Sequence, residues 1–234
     1  MRVLAVGAHP DDLEILCGGT LARYVREGHE VVMCNVALGN RGSFEHTSEE
    51  IAAIRAAEAS QASALIGAER VSLGLADGEI YAGDSRHRLL MVDLIRQARP
   101  DLVLTHAPND YMADHNEVSK LVFDASFLAT IPLLQTQLPH HTLVTPIYYM
   151  DTLMGVNFVP HEFVDITEVV ETKSAMIAAH DSQLTWLRVH DKVDIVEQAC
   201  AVARFRGLQC GVRFAEGFTP CQAWLRGTTR RLLP

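Results

Sequence analysis

Several large classes of protein are excluded by what this chain does not contain. No uninterrupted apolar run reaches the roughly 18 residues of a membrane-spanning helix, although 48% of the 234 residues are hydrophobic. Arg2-Val3 opens directly into a strand pattern, so no leader segment is expected, and no internal repeat, low-complexity tract or linker interrupts the chain. Positive charge is scarce: 20 Lys and Arg stand against 29 Asp and Glu, for a net charge of -9. The two signs are interspersed, so neither nucleic acid nor an anionic membrane surface finds a basic stripe to bind. The 5 cysteines are odd in number and irregularly spaced, with no Cys-x-x-Cys, which argues against a disulfide framework or a zinc ribbon. Cys17, Cys34, Cys200, Cys210 and Cys221 read as reduced thiols, mostly buried, in a cytoplasmic protein. The length suits one α/β domain over residues 1–234 with a sizeable core.

What is present is an alternation of strand and helix patterns. Val3 to Gly7 reads as a strand, Asp12 to Glu27 as a helix closed by Gly28, and Glu30 to Ala37 as a second, almost wholly apolar strand. The loop Leu38-Gly39-Asn40-Arg41-Gly42-Ser43 follows. Thr47 or Ser48 caps a helix running to about Ile66. Val71 to Leu75 is a short strand, Arg86 to Arg99 a helix stopped by Pro100, Leu102 to Thr105 a strand, and His115 to about Ala129 a helix. Further on, Ile131 to Thr145 reads as loop and Ile147 to Met150 and Phe163 to Asp165 as strands. Glu168 to His180 and Val193 to Arg206 read as helices, and Ala215-Glu216-Gly217-Phe218 as a turn leading to a tail. Near-continuous apolar strands alternating with helices predict a mostly parallel sheet covered on both faces, a Rossmann-like three-layer α/β sandwich. Gly-x-Gly-x-x-Gly is missing after the first strand, which argues against a dinucleotide cofactor.

Two polar clusters carry the chemistry. The first, Gly7-Ala8-His9-Pro10-Asp11-Asp12-Leu13-Glu14, falls where the first strand hands over to a helix, with Pro10 unable to continue a ladder. The second, Thr105-His106-Ala107-Pro108-Asn109-Asp110-Tyr111-Met112-Ala113-Asp114-His115, occupies the same position after a later strand. Strand carboxyl ends share one edge of a parallel sheet, so both clusters face one crevice. His9, Asp12 and His115 would then supply imidazole and carboxylate to a divalent metal and leave a position open. Cys17, inside an apolar helix face and without a base partner, argues against a cysteine hydrolase.

These residues resemble the PIG-L/LmbE family of zinc-dependent N-deacetylases, which act on N-acetylglucosaminyl compounds. The likeness rests on Ala8-His9-Pro10-Asp11-Asp12-x-Glu14 and the later Asp114-His115. Gly18-Gly19-Thr20, Arg55-x-x-Glu58, Asp77-Gly78, Ser182-Gln183 and Ala215-Glu216-Gly217-Phe218 extend it. The resemblance implies His9, Asp12 and His115 as metal ligands for Zn2+, with Fe2+ as another candidate. It implies Asp11 as the general base, a small N-acetylated amino sugar or glycoside as substrate, and a homo-oligomer, trimer or hexamer. Glu14, Arg41, Arg55, Asp77 and Asp114 are then expected to contact substrate or support the ligands. One departure stands out: the family carries His-Pro-Asp-His where this chain has Met112-Ala113-Asp114-His115, and a thioether donates no hydrogen bond to an oxyanion. Tyr111, His106 or Arg41 would have to substitute, the metal would act alone, or the protein would be a weak or repurposed metal-containing sugar-binding or regulatory protein. Asp114, without its usual partner, is expected to orient His115 or cap its helix.

Simpler readings apply to the remaining positions. Arg55 and Glu58 suit a solvated ion pair on one helix face, Asp77-Gly78 a turn, Arg41 a surface salt bridge, and Glu14 a helix-surface carboxylate. His140-His141 reads as exposed and inert, and His180 as a histidine placed at a helix end by the dipole.

Overall fold

The computed structural model describes residues 1–226; the end of the expected tail lies outside the described residues. The elements, in order, are β1 (Arg2–Gly7), α1 (Asp12–Arg26), β2 (Glu30–Ala37), α2 (Ser48–Ala64), β3 (Glu69–Leu75), α3 (Ser85–Ala98), β4 (Leu102–His106) and α4 (Ala113–Leu128). Then follow β5 (Ile147–Met150), β6 (Glu162–Asp165), α5 (Val170–Ala178), α6 (Asp181–His190), α7 (Ile195–Cys210) and β7 (Ala215–Pro220). Among the described residues the strands form one 7-stranded sheet in the order β3-β2-β1-β4-β5-β7-β6. The pairs from β3 through β5 are parallel, and β7 runs antiparallel to both β5 and β6. The three-layer α/β expectation holds.

The alternation of β1 shows why the sheet is covered on both sides. Leu4 and Val6 join Met91, Ile95, Val118 and Leu121 of α3 and α4 in one core. Val3 and Ala5 point the other way, to Leu13, Leu16, Cys17 and Leu21 of α1 and Met176 of α5. A strand buried on both faces cannot alternate polar with apolar residues, and β1 does not. The chain leaves β1 toward β2 and β3, then returns to place β4 on the opposite side of β1. Ligands bind at such a reversal because the two connecting loops diverge and open a crevice.

The structure corrects the distal reading. Ala215-Glu216-Gly217-Phe218 is not a turn but most of β7, inserted between β5 and β6. Glu and Gly have poor strand propensity, but Glu216 is fixed by tertiary contacts. Its carboxylate accepts the amides of Gly19 (2.9 Å) and Thr20 (2.7 Å) and pairs with Lys173 at 2.5 Å. A helix not read from sequence, α6, occupies Asp181–His190, and the preceding helix is correspondingly shorter. His141 is buried, its Nε2 3.1 Å from the Pro100 carbonyl, rather than exposed. Cys17, Cys34 and Cys221 are buried free thiols, whereas Cys210 is exposed. No helix among the described residues is long and apolar enough to cross a membrane.

Candidate metal centre

The turn after β1 presents three acidic or imidazole side chains because its backbone is held from both neighbouring strands. Asn35 of β2 donates to the His9 carbonyl (3.0 Å), and the Ala37 amide donates to the Ala8 carbonyl (2.8 Å). From the other side, His106 at the end of β4 accepts the Ala8 amide through Nε2 at 2.9 Å. Asp12 closes the turn by accepting the His9 amide at 2.6 Å. Asp11, between them, takes φ 114°, ψ -26°, a left-handed conformation that costs a non-glycine residue on the order of 1–3 kcal/mol. It marks the turn as fixed by its surroundings.

The second cluster arrives from β4. The loop is clamped by Asn116, whose side chain donates to the carbonyls of Asp110 and Met112 while its Oδ1 accepts the Asp110 amide. Asp110 Oδ2 lies 2.9 Å from His115 Nδ1, which fixes that ring and directs Nε2 inward. His115 Nε2 is buried without a hydrogen-bond partner and sits 3.3 Å from Asp12 Oδ1. Two ligands about 2.1 Å from one tetrahedral ion are about 3.4 Å apart, so this spacing is what a shared ion requires. Ligand atoms of His9, Asp12 and His115 all fall within 4.8 Å of one another. His106, Asp110 and His115 satisfy the same distance test, but Asp110 Oδ2 is engaged by His115 Nδ1 and His106 Nε2 by the Ala8 amide. The first set therefore fits a metal better.

Charge in this pocket is closely balanced. Burial pushes the Asp11 carboxyl up to about 7, with Asp12 adding to the rise and His180, Arg55 and His9 opposing it. Burial acts on Asp12 in the same direction, but the His115 imidazolium outweighs it and holds Asp12 well below the usual range. His106, buried and stacked on His115 with ring centroids 3.8 Å apart, is lowered to about 4 and stays neutral. Burial disfavours charge on His115 as well, but Asp12 and Asp110 raise it to about 9. Two adjacent carboxyls thus have opposite tendencies, Asp12 anionic and Asp11 able to gain and lose a proton near neutrality.

The other predicted positions sort differently. Asp114 neither orients His115 nor caps α4: its Oδ2 takes His9 Nε2 at 3.1 Å and the Gly78 amide at 2.7 Å. Arg55 and Glu58 do not pair. Arg55 is buried and donates to the Gly42 carbonyl at 3.0 Å, while Glu58 accepts the amide and hydroxyl of Ser182 at 2.8 and 2.6 Å. Gly39 makes room for Arg55, since a Cβ there would lie 2.5 Å from its Cδ and the glycine holds φ +72°. Asp77 accepts the amides of Gly39 and Arg41, and Arg41 itself pairs with Glu79 at the surface. Glu14 is buried, not a surface carboxylate, 3.4 Å from His180 Nε2. Of the three expected substitutes for the missing donor, Tyr111 is mostly exposed, Arg41 is engaged by Glu79, and His106 Nε2 accepts rather than donates. Sequence reasoning missed Asp110 as the partner of His115. The signal was present as a carboxylate within the same loop, but only the loop's reversal brings it to the ring.

Fold and site together define an α/β protein with a carboxylate–imidazole centre at the sheet's switch point. The chain belongs to the PIG-L family, whose model, described as GlcNAc-PI de-N-acetylase, matches residues 4–126. It is 28% identical over 230 residues to the diacetylchitobiose deacetylase of Thermococcus kodakarensis, covering 92% of this chain and 81% of that one. Among solved structures, the N,N'-diacetylchitobiose deacetylase of Pyrococcus horikoshii superposes with a TM-score of 0.82 at 26% identity, over 94% of this chain and 83% of that one. GalB, the 4-carboxy-2-hydroxymuconate hydratase of Pseudomonas putida KT2440, superposes with a TM-score of 0.84 over 100% of both chains. At 23% identity it shares the fold.

Proposed function

We propose that this protein is a divalent-metal-dependent hydrolase that removes the acetyl group from an N-acetylglucosamine-type amino sugar or a related small amide, the chain acting as one domain. The observation that carries this reading is the unpartnered, buried Nε2 of His115 facing Asp12 and His9, with the Asp11 carboxyl beside them. His9, Asp12 and His115 would hold the ion; two imidazoles and a carboxylate suit zinc, with Fe2+ the alternative. When bound, the ion lowers the pKa of a water and polarises the amide carbonyl. Asp11, whose burial raises its carboxyl and makes it a better proton acceptor, would accept the proton from the attacking water and return it to the departing amine nitrogen as the C–N bond breaks. Acetate and a free amine result. Asp110 keeps the His115 ring oriented, and Asp114 does the same for His9.

The experiment is acetate release from N-acetylglucosamine and N,N'-diacetylchitobiose by purified protein, before and after chelation. Turnover that disappears with the metal and returns with zinc supports the reading. Protein purified without metal, which also fails to bind it, sinks it.

Met112 favours a second reading. Without a donor at this position an amide oxyanion would be stabilised by the ion alone, which favours a metal-containing sugar-binding or regulatory protein with weak or no turnover. Ligand binding without turnover across a panel of N-acetylated sugars would support that reading, and robust metal-dependent acetate release would remove it. Met112→His separates the readings further: in a deacetylase it restores the missing donor and raises kcat, by up to roughly 10²-fold.

A further inference from the structure

Two motifs far apart in the chain, Gly18-Gly19-Thr20 and Ala215-Glu216-Gly217-Phe218, meet at a buried ion pair that none of the chemistry above uses. Lys173 of α5 and Glu216 of β7 are both buried, and they do more than pair with each other. Lys173 Nζ also donates to the Ile15 carbonyl at 2.6 Å. Glu216 accepts the Gly19 amide through Oε1 and the Thr20 amide through Oε2. Ile15 and Gly19 are the two ends of one helical turn, because in an α-helix residue i+4 donates to residue i. The ion pair therefore spans a turn of α1 from outside.

That turn is joined directly to the metal centre. The Ile15 amide donates to the Asp11 carbonyl at 3.0 Å. A path of two hydrogen bonds through Ile15 thus connects the Lys173 ammonium to the left-handed Asp11 backbone. Asp12 opens the same helix. A strained backbone persists only where its surroundings over-determine it. On its strand side the β1–α1 turn is held by Asn35 and His106; on its helix side the support comes from this pair. The helix needs it, since consecutive glycines weaken a helix interior. Gly19 is nevertheless required there, because a Cβ would lie 2.7 Å from Ile166 Cγ2.

We propose that Lys173 and Glu216 are positioning residues for the metal centre. The pair fixes where the first turn of α1 sits, and so holds Asp11 and Asp12 in place against His9 and His115. Both side chains act through the α1 backbone. Joining α1 to α5 and β7 does not by itself call for charge, because apolar side chains of similar size often replace a buried ion pair without loss of stability. Apolar side chains cannot grip the Ile15 carbonyl and the Gly19 and Thr20 amides. The inference rests on the metal-binding part of the proposed function, but its readouts need no turnover.

The test separates holding the fold from holding the centre. Lys173→Met/Glu216→Leu removes both charges and nearly keeps the volume, so its urea midpoint should stay near that of wild type. Zinc should nevertheless bind it about tenfold more weakly, in competition with a chromophoric chelator. The visible absorption of bound Co2+ should also shift, which a role confined to the fold would not produce. A double variant with wild-type zinc affinity and an unchanged Co2+ spectrum would overturn the inference and leave the deacetylase reading intact. Zinc binding by wild type without acetate release would defeat the deacetylase reading, while weaker binding by the variant would still uphold the positioning role. If the double variant does not fold, Glu216→Asp decides. Its carboxylate keeps the charge but, one methylene shorter, cannot hold Lys173 and both amides together. Weakened zinc binding well below its urea midpoint upholds the role; a lowered midpoint with wild-type zinc affinity and Co2+ spectrum overturns it. A wild type that binds neither ion removes the metal reading and the positioning role with it.

Discussion

Asp11 carries two costs at once, a left-handed backbone and a buried carboxyl raised to about 7. Its folded pKa lies above the roughly 3.9 of an unfolded aspartate, so the folded chain binds more protons between those values. In metal-stripped protein the penalty is fully present above pH 7 and fades as pH falls toward 4. Asp11→Asn is therefore expected to stabilise the stripped protein at pH 8 by roughly 1–4 kcal/mol and by less at pH 5, read by urea denaturation. Asparagine also tolerates the left-handed region better than most residues. The same variant should lose about 10²–10⁴ of the turnover, and wild-type kcat/KM should fall on the acid side as the base becomes protonated. A profile with no acid limb at any pH where the protein stays folded and metal-loaded would contradict that role. Asp110 acts through His115. Asp110→Asn should weaken zinc binding by about 10–100-fold, measured by competition with a chromophoric chelator, with the fold retained.

Secondary-structure elements decide where such residues point. Helix α4 starts at Ala113, two residues before the predicted His115, which places Asp114 and His115 on its first turn with side chains directed to different partners. The strand β7 was unreadable locally because its core-facing Glu216 is paired only through α1 and α5, far away in the chain. Glu216→Gln leaves the buried Lys173 ammonium without its counter-charge and should destabilise the protein by about 3–5 kcal/mol, seen as a lowered midpoint of urea unfolding. Helix α6 escaped prediction because its apolar face is short, with only Leu184 fully buried. Its position is set by Glu58 and Ser182 rather than by periodicity.

At the scale of the molecule, the proposed metal site would link the two sides of the sheet's switch point, since His9 and Asp12 follow β1 and His115 follows β4. A bound ion joins these connections and should raise stability by mass action, about 2.7 kcal/mol at a free concentration 100 times the dissociation constant. Chelation is expected to lower Tm and zinc to restore it, whereas no shift in scanning calorimetry would deny a site that spans both loops. Sequence alone determined the alternating layers and the two polar clusters, because both depend on local patterns: apolar runs for buried strands, and proline and carboxylates where a strand ends. It also determined which residue types can bind a divalent ion. Only the tertiary structure decided the pairing of those residues. It gave His115 to Asp110 and His9 to Asp114, drew Arg55 away from Glu58, and turned a glutamate–glycine segment into a strand between β5 and β6. The physical reason is that a buried polar group must find a partner wherever the fold offers one, and these partners lie on connections that sequence spacing does not bring together.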